Sequence, residues 1–98
     1  MKNNTALKHH NLLIGGESVE PGGRAYSTTL DPATEEPIAL VAQGTAEDVD
    51  RAVRVARAAL KPWNAIRAAE RGRILMRFSE LLRAHQDELA ELESLDAG

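Results

Sequence analysis

The spacing of apolar and polar positions changes near Thr45. Before it, apolar residues come in short runs. Leu12-Leu13-Ile14 stops at Gly15-Gly16, and the Thr- and Tyr-rich stretch Ala25 to Leu30 lies between Gly22-Gly23 and Asp31-Pro32. A third run, Ile38 to Ala42, follows the turn-like Asp31-Pro32-Ala33-Thr34. Runs of this length bounded by Gly, Pro and Asp predict strands, and three in succession predict a small antiparallel meander. Residues 1–11 are mostly polar and carry His9-His10, which predicts a flexible lead-in before an ordered unit over 12–98.

After Thr45 the period becomes helical. Val49, Ala52, Val53, Ala56 and Leu60 recur at three- and four-residue intervals, predicting a helix from Ala46 to about Leu60 that Pro62 ends. Thr45 suits the N-cap, and Glu47, Asp48 and Asp50 stand where the helix dipole favours negative charge. Glu47 with Arg51 and Asp50 with Arg54 are spaced as (i, i+4) ion pairs. A second stripe, Ile74, Leu75, Phe78, Leu81 and Leu82, predicts a helix over about 68–84 without a polar N-cap. Leu89, Leu92 and Leu95 form a third stripe, and periodicity leaves open whether Arg83 to Asp87 is a break or a bend. The fold class is therefore α+β, short antiparallel strands followed by two or three amphipathic helices. Val49, Val53, Leu60, Ile74, Phe78 and Leu82 are the expected helix-to-helix contacts.

At 98 residues there is room for one small domain. Of the 42 apolar residues 16 are Ala and only Tyr26, Trp63 and Phe78 are aromatic, so any core is thin. The net charge of −3 is spread over both halves, and the helix arginines alternate with Asp and Glu without aromatic stacking partners. That pattern predicts no nucleic-acid partner. No apolar run reaches the ~18–20 residues of a membrane span and the start has no signal-like apolar stretch, so no membrane partner and a cytoplasmic setting are expected.

The chain has no Cys, which removes thiolate metal sites and a cysteine nucleophile from these 98 residues. His9, His10 and His85 have no metal-ligand spacing, and no Ser sits in a G-x-S-x-G setting. Gly15-Gly16 and Gly22-Gly23 do not open a helix as phosphate-binding glycines do, and read as turns. Glu35-Glu36 beside Pro37 reads as a solvated pair rather than an acid–base couple. From residue chemistry alone no self-contained active site emerges.

Several short motifs in register nevertheless carry a resemblance. Leu13-Ile14-Gly15-Gly16-Glu17, Asp31-Pro32-Ala33-Thr34-Glu35-Glu36, Thr45 to Val53, Trp63, Glu70-Arg71 ahead of Ile74-Leu75, and Leu92 to Gly98 follow one another in an order and spacing similar to the N-terminal region of the NAD(P)-dependent aldehyde dehydrogenase superfamily. The resemblance spans roughly 12–98. It implies the N-terminal part of an α/β dinucleotide-binding domain, and a parent that oxidises an aldehyde to a carboxylic acid through a Cys thiohemiacetal and an acyl-enzyme. It also implies that the catalytic Cys and Glu and the cofactor-binding strands lie beyond these residues. The chain then reads as a truncated start: inactive alone, binding neither NAD nor NADP itself, with the remainder of such a chain or a homo-oligomer as its partner.

In this resemblance Asp31 stands where Asn is usual, and Glu35 where Gly is usual. Asp31 can still form an Asx-type turn, but Glu35 is expected to be strained by about 1 kcal/mol or more if its φ is positive. The resemblance further places a monovalent cation on the backbone carbonyls of Thr29 and Leu30 and the carboxylate of Asp96, with no catalytic or cofactor-binding residue in the chain. The plainer alternative is that Asp96 ends a helix before Gly98. A different class of function, a stand-alone helical interaction module, would use the same apolar stripes against a partner. A helix-turn-helix DNA binder fits the helix pair but not the charge.

Overall fold

The computed structural model describes residues 7–98. Five short strands precede three helices: β1 His9–His10, β2 Leu12–Ile14, β3 Glu17–Val19, β4 Tyr26–Leu30 and β5 Pro37–Ala42, then α1 Ala46–Ala65, α2 Ala68–Ala84 and α3 Gln86–Ala97. The class is α+β, as the patterning predicts, but the strands do not form one meander. β2 pairs with β3 across Gly15-Gly16, while β4 pairs antiparallel with β5. Gly15 and Gly16 have φ of 62° and 78°. Positive φ at both central residues is the type I′ geometry whose twist matches a two-residue hairpin. The alternation in Glu17-Ser18-Val19 is too short and polar to announce a strand, so β3 is visible only through its partner.

β1 joins the other side of β5 in parallel, His9 opposite Leu40 and His10 opposite Val41. Of the expected flexible lead-in over 1–11, residues 1–6 lie outside the described residues, whereas His9–His10 are part of a sheet. The tie is chemical as well as backbone. The His9 ring stands edge-on to Tyr26 at 4.7 Å, and the Tyr26 hydroxyl donates to Asn11 Oδ1 at 2.6 Å. Polar side chains that pair across strands are invisible to a hydropathy pattern.

α1 begins at a full capping box. The Thr45 hydroxyl accepts from the Asp48 N–H at 3.1 Å while Asp48 Oδ2 accepts from the Thr45 N–H at 2.9 Å. The helix passes through Pro62 and ends at Ile66, a correction to the expected stop. Pro62 lies in the last turn, where its missing N–H forfeits one bond, to the Ala58 carbonyl, and the neighbouring turns outweigh that loss. The actual stop is Ile66 and Arg67, both extended with ψ of 149° and 148°. Arg71 reaches back from α2 and its guanidinium donates to the Ile66 carbonyl. α2 and α3 are separated by His85 alone, at φ −107° and ψ 20°. His85 N still donates to Leu81 O and Leu89 N to His85 O, so the join is a bend in one helical track rather than a loop.

The expected helix-to-helix core does not form. Among the described residues only Ile14, Pro21 and Ala39 are buried, and none of them is helical. α1 meets the β2–β3 hairpin instead: Asp48, Val49 and Ala52 line a groove with Leu12, Leu13, Ile14 and Gly44, and Val55 approaches Gly15. The packing face 48–52–55 is turned by about 100° from the stripe 49–53–60. Val49, Val53, Leu60, Ile74, Phe78 and Leu82 remain exposed. Ile66 and Arg67, both extended, interrupt the helical path between α1 and α2, and the stripe residues of both helices stay exposed. The radius of gyration is 17.5 Å, against roughly 13 Å for a self-contained domain of this length.

α3 returns to the end of β4. Gly98 closes on the turn after it, where an added Cβ would lie 3.1 Å from Pro32. In that turn Asp31 Oδ1 accepts from the Ala33 N–H at 2.9 Å, the expected Asx turn, and Glu35 takes φ of 61°. Left-handed backbone costs an L side chain about 1–2 kcal/mol, partly offset in a Gly variant by about 0.5–1 kcal/mol of unfolded-state entropy. Glu35→Gly is therefore expected to slow amide exchange in the β4–β5 ladder roughly two- to fivefold, measured by NMR; faster exchange would contradict the strain.

Candidate functional site

Two places bring together side chains from distant parts of the sequence. The first lies where β4 and α3 meet. The Thr29 hydroxyl donates to Asp96 Oδ1 at 3.3 Å, joining residues on strand and helix that the sequence separates by 67 positions. Leu30 follows directly, at a register shift in the β4–β5 pairing, and lies opposite Pro37. Pro37 has no N–H to offer the Leu30 carbonyl. β4 is also an edge strand of its sheet. The structure thus brings the Thr29 side chain to Asp96, with Leu30 the next residue of the strand. Among the described residues no group of three His, Cys, Asp or Glu side chains gathers as a metal cage, so any cation here depends on backbone oxygens.

The second place is the start of α1. Both carboxylate oxygens of Asp48 accept from the Gly22 N–H, at 2.9 and 3.2 Å, besides the bond to Thr45 N. These backbone donors, with the Thr45 hydroxyl and Arg51 nearby adding to them, hold the Asp48 carboxyl below its ordinary 3.8. The capping role was legible from Thr45 and the three-residue spacing. The bond to Gly22 was not, because it spans 26 positions and lands on a backbone N–H that no sequence pattern marks. Space at Gly22 is tight: an added Cβ would stand 3.2 Å from Asp48 Oδ1, and the carboxylate would have to give by a few tenths of an ångström.

Elsewhere the polar side chains pair locally. Asp50 and Arg54 close at 3.1 Å, as their spacing predicts, Glu70 pairs with Arg73, and Arg77 with Glu80 at 3.5 Å. His85 Nδ1 lies 3.1 Å from Glu88 Oε2. All are exposed pairs one helical turn apart, worth a few tenths of a kcal/mol each. None forms a nucleophile with a base. No helix among the described residues is long and apolar enough to cross a membrane.

A further feature is apolar. Phe78, Leu81, Leu82, His85 and Leu89 line an open groove across the α2–α3 bend. The stripes foreseen as a core are thus a surface.

Comparison with known proteins places this geometry in one family. A profile described as the aldehyde dehydrogenase family matches residues 19–98. Among characterised relatives, aldehyde dehydrogenase family 2 member B4, mitochondrial, of Arabidopsis thaliana is 47% identical over 94 residues, which is 94% of this chain and 18% of that protein. Benzaldehyde dehydrogenase, mitochondrial, of Antirrhinum majus is 43% identical over 95% of this chain and 18% of its own length. Among solved structures, an NAD+ complex of an aldehyde dehydrogenase from Bacillus cereus superposes with a TM-score of 0.88 at 37% identity, covering 91% of this chain and 18% of that one. The chain therefore spans about a fifth of the length of the relatives it matches.

The Asp48 node gives a pH signature. With the folded-state value lowered, its contribution is fully present above 3.8 and is lost as pH falls through the still lower folded-state value. Amide protection of the first turn of α1 is expected to fall below about pH 3.8 in the parent chain and to lose that step in Asp48→Ala. Thr45→Ala should cost about 1 kcal/mol of helix stability. An unchanged acid limb in Asp48→Ala would contradict the assignment.

Proposed function

The chain belongs to the aldehyde dehydrogenase family, and from that premise we propose that its 98 residues serve as the opening segment of an oxidoreductase that converts an aldehyde to a carboxylic acid. The observation that carries this reading is the agreement of sequence and backbone with one family across nearly the whole chain, in a chain without Cys. In the proposed reaction a thiolate adds to the aldehyde carbonyl, the resulting thiohemiacetal loses hydride to become a thioester, and a carboxylate-activated water hydrolyses it. Bound by other parts of the protein, NAD or NADP would supply the hydride acceptor. The nucleophilic thiolate is a group these residues, with no Cys, do not supply, and we assign the segment a structural part. The 98 residues alone bind neither cofactor and oxidise no aldehyde. A cytoplasmic setting and a homo-oligomeric whole protein belong to the same reading.

The test is a chimera in which this chain replaces the matching opening segment of the Bacillus cereus aldehyde dehydrogenase. The chimera is expected to reduce NAD in the presence of aldehydes, and the isolated 98 residues are expected not to. A chimera that folds and binds NAD but oxidises no aldehyde, or cofactor reduction by the isolated chain, would overturn the proposal.

A second part of the reading concerns Thr29, Leu30 and Asp96. The contact between the Thr29 hydroxyl and Asp96, with Leu30 next along the strand, supports a monovalent cation held by the two backbone carbonyls and the Asp96 carboxylate. Such a site joins the end of α3 to β4. Potassium or sodium should then raise the thermal midpoint of the chimera above that in a tetraalkylammonium salt of equal ionic strength. The increment should vanish in Asp96→Ala; if it persists there, the cation binds elsewhere.

A further inference from the structure

We draw no further inference here: the strongest candidate, the exposed apolar groove of Phe78, Leu81, Leu82, His85 and Leu89 across the α2–α3 bend, carries nothing because nothing in the structure shows what covers it.

Discussion

Apolar burial is the constraint from which the other features of this chain follow. Removing apolar surface from water contributes about 25 cal/mol per Å², and it is the main term that offsets the entropy of ordering a chain. Here Ile14, Pro21 and Ala39 are the buried residues among those described, while the largest apolar side chains of all three helices face outward. Helices without a covered face lean on local terms: the capping box at Thr45 and Asp48, the return of Arg71 to the Ile66 carbonyl, and ion pairs one turn apart. Such terms shape the backbone more than they stabilise it.

Against that background the few long-range polar contacts set the architecture. Asp48 ties the start of α1 to the loop after β3 through Gly22, and Thr29 ties the end of α3 to β4 through Asp96. Between those two anchors run α1, α2 and α3, in a chain whose longest extent is 55 Å. The apolar side chains of α2 and α3 are exposed along that path. The match to a family whose members are about five times longer gives that geometry its context.

Much was legible in the sequence, and the reasons differ by element. The start of α1 could be read from Thr45 because capping chemistry is local, and the strain at Glu35 because a side chain stands where the resembling pattern has Gly, with φ of 61° as the outcome. The α2 stripe could be read from its period. Pro62 misled because the penalty for an interior proline is finite and falls in the final turn of a 20-residue helix. β1 and β3 were hidden because their pairing rests on backbone bonds and on the polar partners Asn11, His9 and Tyr26.

Local order along the chain was determined by the sequence itself: turn residues, caps and the periods of the apolar stripes specify which segments are extended and which are helical, because those preferences act over one or two turns. The family's order of motifs was legible for the same reason, as was the absence of a Cys nucleophile. Only the tertiary structure decided which face of each helix is covered. A stripe reports that a surface is apolar, not what lies opposite it, and the stripes of α1 and α2, separated by the extended Ile66-Arg67, stay exposed. The expected core thus became an exposed apolar surface, and Thr29 met Asp96 across 67 positions. Contacts of that range depend on the path of the whole chain, which no local pattern encodes.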